Sequence, residues 1–137
     1  MTRLAQIARD RFLGAVLKIR SYRDLLVWQK AVDLVVSTYR VTQGLPSAER
    51  FGLTVQMRRA AVSIPANIAE GWGRRSRADY LRFLTIANSS RLELETLIVI
   101  GQRLNLAATA EWKLLGAGAE EVGRMLAGLV RSLKAKP

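Results

Sequence analysis

Gln56–Gly71, QMRRAAVSIPANIAEG, is the stretch on which the fold turns. On a helical wheel of about 100° per residue, Leu53, Met57, Ala60, Ala61, Ile64 and Ile68 share one arc. Gln56, Arg59, Ser63, Asn67 and Glu70 share the arc beside it. Steps of three and four mark both rows as faces of one helix that packs against neighbours. A polar row bordering the apolar stripe is unusual, because a solvated helix keeps its polar residues on the far side. Pro65 lies inside this helix and is expected to kink it, since proline lacks an amide donor and crowds the carbonyl four residues back. The Ser63 hydroxyl is expected to serve the backbone groups so freed.

Working outward, the same rhythm recurs three times. A first helix is expected over about residues 24–42, capped by Ser21 or Asp24, with Trp28, Val32, Val35 and Tyr39 as its stripe. Gly44, Leu45 and Pro46 end it, glycine as a left-handed cap. The second helix is expected over 47–70, with Glu49 in its first turn suiting the positive end of the dipole, and Gly71 and Gly73 as its stop. The third, 76–104, opens on Ser76 and Asp79 spaced as a capping box. Tyr80, Phe83, Leu84, Ala87, Leu94, Leu97, Ile98 and Gly101 form its stripe, interrupted by Ser90 and Arg91. The fourth, 109–133, carries Leu115, Ala119, Val122, Leu126, Leu129 and Leu133. Short loops make neighbours antiparallel. The expected fold is all-α, an antiparallel up-down-up-down four-helix bundle over residues 21–137. A basic arm over 1–20 precedes it, either a partly ordered tail or a weakly amphipathic surface helix.

The chain has 137 residues, half of them hydrophobic, enough for one domain with a real core. It contains no cysteine and no histidine. That removes thiolate nucleophiles, disulfides, the usual zinc ligands and the side chain best suited to proton transfer near neutral pH. No apolar run approaches the roughly 20 residues of a membrane span, so stable insertion is not expected and the cytoplasm is the expected compartment. The net charge is +11, and its distribution matters more than its size. Residues 1–23 carry +5 and residues 124–137 carry +4, leaving +2 for everything between. One dense internal patch remains, Arg74, Arg75 and Arg77.

Catalysis finds little support in these residues. Glu93 and Glu95 are two apart on a helix and point in different directions. A di-metal bundle site needs inward Glu-x-x-His pairs, and Ser63 and Ser90 have no candidate base beyond arginine or glutamate. No phosphate-binding loop is present. The chain is expected to be no enzyme and to need no cofactor or metal.

Two roles fit the polar row. Arg59, Ser63, Asn67 and Glu70 either meet Ser90, Glu93 and Glu95 in a satisfied buried network that specifies register, or they line a groove for a ligand. The presence of both signs of charge, with Glu70, Glu93 and Glu95 beside Arg59, favours the first, since a phosphate groove carries few acids. The arginine patch differs. It sits in a turn before a helix N-terminus, where guanidinium forks suit phosphate oxygens, and Trp72 beside it is placed to stack on a base. Trp72, Arg74, Arg75 and Arg77 are therefore the candidate nucleic-acid contacts. The alternative function is an assembly scaffold or adaptor for a protein partner, with Trp28, Trp72 and Trp112 as aromatic anchors.

QMRRAAVSIPANIAEGWGR is followed by SxxDYxRFLxIAxxSxxELET over Ser76–Thr96 and preceded by VWQKA at 27–31 and LPSAERFGLTVQ at 45–56. Together they resemble the four-helix-bundle family of proteins encoded in intervening sequences of bacterial large-subunit ribosomal RNA genes. That family is related to the accessory variability determinant of diversity-generating retroelements. The resemblance covers about residues 22–135. It implies an antiparallel bundle assembled as a homopentamer around a central channel. It also implies RNA or DNA as a partner and, by analogy with the retroelement protein, a protein partner such as a reverse transcriptase. It marks Arg58, Arg59, Ser63, Pro65, Asn67, Glu70 and Gly71 on helix two, and Ser90, Glu93 and Glu95 on helix three, as packing and assembly residues. The long basic arm departs from the family pattern.

Overall fold

A computed structural model describes residues 20–135, so the basic arm, apart from Arg20, lies outside the described residues. Four helices carry the fold: α1 (Leu26–Gln43), α2 (Leu53–Trp72), α3 (Arg77–Arg103) and α4 (Thr109–Lys134). Short 3₁₀ turns, Tyr22–Asp24 and Ser47–Glu49, precede α1 and α2, and there is no strand among the described residues. Each helix packs its backbone closely on two neighbours in a ring, and the diagonal pairs meet only through the core. Cross-helix contacts give the directions. Arg58, early in α2, donates from Nε to Thr42 Oγ1 at the end of α1 at 2.9 Å. Ser63 meets Ser90 across α2 and α3. Trp112 at the start of α4 lies on Gly101 at the end of α3. Lys30 reaches Glu121 at 3.7 Å, while Leu34 lies against Gly118. Consecutive helices therefore run antiparallel.

The α2 stripe is the spine of the core. Leu53, Met57, Ala60, Ala61, Ile64 and Ile68 are all buried, and the α3 and α4 stripes close over them. Each fully buried aliphatic side chain contributes about 1.5–3 kcal/mol. The helix continues through buried Pro65. Ser63 does not tend the backbone groups that proline frees; its hydroxyl instead crosses to Ser90 at 2.7 Å.

Several local expectations are corrected. The buried face of α1 is Val27, Ala31, Leu34, Thr38 and Thr42, one residue round from the expected stripe. Tyr39 is exposed, and Trp28, Val32 and Val35 lie at the margin. Two threonines reach the core because their hydroxyls are satisfied within the helix. Thr38 Oγ1 donates to the Leu34 carbonyl at 2.8 Å, and Thr42 Oγ1 to the Thr38 carbonyl at 2.7 Å. Only their methyl groups then need apolar neighbours.

The caps also differ. Ser21 and Asp24 box the 3₁₀ turn rather than α1, which starts at Leu26 without a side-chain cap. Residues 47–49 form a separate turn, yet Glu49 still serves α2, accepting from the Leu53 amide at 3.3 Å. Gly44 is right-handed, at φ −86°, not a left-handed cap. The one positive φ among the described residues belongs to Asn105, at 54°. Beyond α3, Asn105 donates to the Gln102 carbonyl at 3.1 Å and Leu106 to the Gly101 carbonyl at 3.2 Å. Paired bonds of this kind close a helix C-terminus around a left-handed residue.

Candidate nucleic-acid interface

The polar row divides among three places. Ser63 and Asn67 are half-buried at the α2–α3 seam with Ser90. Asn67 Nδ2 donates to the Ser63 carbonyl at 2.7 Å and to Ser63 Oγ at 2.9 Å, and Ser63 Oγ meets Ser90 Oγ at 2.7 Å. This three-residue link crosses the seam near its middle. Glu95 joins a different one, accepting from Arg91 Nη1 at 2.8 Å, while Arg91 Nε donates to Asn88 Oδ1 at 2.9 Å. The same guanidinium lies over Gly123 of α4, within 2.5 Å of where a Cβ would stand. Arg58 belongs to the α1–α2 seam, its guanidinium 4.4 Å from the Tyr39 ring centroid. Arg59 and Glu93 are exposed and make no ion pair among the described residues. A shallow groove of about 490 Å³ runs along Tyr39, Val55, Arg58, Arg59, Val62 and Ser63.

Ser63→Ala and Ser90→Ala are each expected to cost about 1 kcal/mol, with a double mutant less destabilised than the sum of the two. Denaturant unfolding of the four-member cycle measures this, and strict additivity would remove the link.

The arginine turn is built by close packing at the end of α2. Gly71 is no helix stop: it is buried inside α2, and a Cβ there would stand 2.8 Å from Phe83 Cβ and 3.0 Å from Tyr80 Cδ1. Its missing side chain lets α3 approach. Trp72 is half-buried and meets the Tyr80 ring edge-on at 6.4 Å, so part of the surface expected to stack on a base is already covered. Ser76 caps α3, its Oγ accepting from the Asp79 amide at 3.1 Å. Arg74 donates from Nη2 to Glu70 Oε1 at 3.1 Å, and its Cζ lies 4.6 Å from the Phe83 ring centroid. Arg75 and Arg77 are exposed. Trp112, by contrast, is 1% exposed and unable to anchor a partner.

Sequence reasoning left out Arg82. It is exposed, its Cζ lies 4.7 Å from the same Phe83 ring, and its Nε sits 3.8 Å from Asp79 Oδ1. The available signal was its position between Asp79 and Phe83, in the second turn of a helix opening at the arginine turn.

Topology gathers more charge here than the turn alone holds. α2 ends, α3 starts, α1 starts and α4 ends at one end of the bundle. Arg20 and Arg23 before α1, and Arg131 and Lys134 in the last turn of α4, therefore join Arg74, Arg75, Arg77 and Arg82. Asp24, Glu70 and Asp79 are the acids of that end. Residues far apart in the chain are thus brought to one end of the bundle.

The model of the 23S rRNA-intervening sequence protein family matches residues 23–128. The chain is similar in structure to a protein of unknown function from the S23 ribosomal protein family of Bacteroides thetaiotaomicron VPI-5482, solved at 1.70 Å. Identity is 23%, the TM-score is 0.73, and the match covers 77% of this chain and 99% of the other. That likeness is one of fold. No curated protein matches.

Proposed function

The chain belongs to the 23S rRNA-intervening sequence protein family, and from that premise we propose that it is a non-enzymatic, homo-oligomeric bundle that binds RNA or DNA electrostatically. The observation that carries this is the basic end, where basic residues from four segments outnumber the acids. Arginine forks there suit phosphate oxygens, and a predominantly basic surface releases counterions when it meets a polyanion. With Trp72 partly covered, contacts fall on the backbone rather than on bases, so sequence discrimination is weak.

The homo-oligomeric part is supported by a different surface. Between Arg82 and Arg103 the exposed residues of α3 carry one charge, Glu93, among Ile86, Leu92, Val99 and Ile100. On the adjoining face of α2, Val62 is exposed beside the groove that Arg59 borders. The outer face of α4, in contrast, carries Lys113, Glu120, Arg124 and Arg131. A charge-poor, partly apolar face of this kind suits burial against further copies, in the closed five-membered ring that the family resemblance implies.

Fluorescence-anisotropy titration of the full chain with RNA and DNA oligonucleotides of unrelated sequence is the test. Binding at low salt is expected for all, with affinities within a few-fold across sequences of one type. Absence of binding to any of them at low salt would end the proposal.

A further inference from the structure

We propose that Arg74 and Arg82, both held against the Phe83 ring, form a clamp for phosphate groups. It deepens the nucleic-acid role proposed above, and rests on it, by naming the atoms that take the backbone phosphates. Two guanidinium carbons lie 4.6 and 4.7 Å from one ring centroid. One comes from the turn after α2 and the other from α3, so the ring joins two elements. Phe83 is 7% exposed, packed under the Gly71 backbone, and cannot swing away. Glu70 holds Arg74 from α2 at 3.1 Å, and Asp79 holds Arg82 from α3 at 3.8 Å.

The arrangement brings two like charges to one apolar support. Their repulsion falls when an anion bridges them. Arginine forks present paired N–H donors to phosphate oxygens, and a stacked guanidinium has already given up part of its side-chain freedom. Arg75 and Arg77 next to the pair bias the site towards a polyanion over a single carboxylate. Phe83 acts as a positioning residue: it touches no phosphate but sets where two forks point.

The test uses the full chain and a short RNA duplex in anisotropy titrations over a salt series. Arg82→Ala is expected to weaken binding about ten-fold and lower the salt slope by about one. Phe83→Leu, which keeps the core filled, is expected to weaken it about three- to five-fold. Phe83→Tyr, which keeps the ring, should stay within two-fold of the parent. Arg103→Ala, at the opposite end, should change neither affinity nor slope. Circular dichroism checks that each variant is folded, and the exposed Arg82 site keeps the test open if Phe83→Leu is not.

Equal affinities and slopes for the parent, Arg82→Ala and Phe83→Leu would overturn the clamp while leaving nucleic-acid binding standing. Should the parent bind no nucleic acid, inorganic pyrophosphate decides the clamp by itself. Arginine Nε–H resonances of Arg74 and Arg82 would shift on its addition and that of Arg103 would not. Unmoved Arg74 and Arg82 resonances would overturn the clamp.

Discussion

Gly101→Ala is expected to destabilise the bundle by about 2 kcal/mol, whereas Gly116→Ala and Gly128→Ala are expected to stabilise it by up to about 1 kcal/mol. All three glycines lie inside helices, so the propensity gain of alanine is common to them. The difference is what the new methyl meets. At Gly101 a Cβ would stand 2.4 Å from Trp112 Cη2, 2.7 Å from Cζ2 and 3.0 Å from Cζ3. Trp112 is buried and rigid, so the ring, and with it the α3–α4 spacing, must move. At Gly116 and Gly128 nothing lies within 4 Å. Thermal unfolding should separate the variants by several degrees in opposite directions. Equal melting temperatures for Gly101→Ala and Gly116→Ala would show that the indole does not hold that position.

The second large effect is on binding. The triple variant Arg74→Ala, Arg75→Ala, Arg77→Ala is expected to lose about 100-fold in nucleic-acid affinity at low salt while staying folded. Three charge-assisted contacts at roughly 1 kcal/mol each set that size, after discounting for exposure. The residues removed are exposed and outside the core, so helix content and melting temperature should change little. A fully folded triple variant with parental affinity would move the binding surface elsewhere. A control triple of exposed basic residues away from this end, Arg40, Arg103 and Lys113, is expected to cost far less.

What could be read from the chain, and what could not, follows from how local each cause is. The α2 stripe was legible because every residue in it is apolar and the period is unbroken over about four turns. The α1 face was not, because Thr38 and Thr42 look polar until their hydroxyls are seen returning to the backbone one turn earlier. The glycines misled in a consistent way. In the chain Gly44 reads as a left-handed cap and Gly71 as a helix stop, but the first is right-handed and the second is a point of close approach. Whether a glycine serves conformation or space depends on what packs over it, and that is a tertiary fact. Asn105, which adopts the left-handed conformation, gave no signal stronger than those glycines.

Within the candidate site, the Arg74, Arg75 and Arg77 cluster was visible as a run of like charge. Arg82 was not, because its place at the same surface depends on a ring it shares with Arg74. The link of Ser63 to Ser90 follows from the α2–α3 register, whereas Arg91 turning to Gly123 depends on the α4 backbone coming close. The meeting of the first and last helical turns at the arginine end needed the topology, although the charges themselves were plain in the chain.

The most direct measurement is the salt dependence of binding by the full chain to a nucleic-acid duplex of arbitrary sequence. If Arg74, Arg75, Arg77 and Arg82 each neutralise one phosphate, the logarithm of the binding constant falls against the logarithm of salt with a slope of about −3 to −4. A slope near zero, or no binding at the lowest salt, would contradict the assignment of the basic end as a nucleic-acid surface.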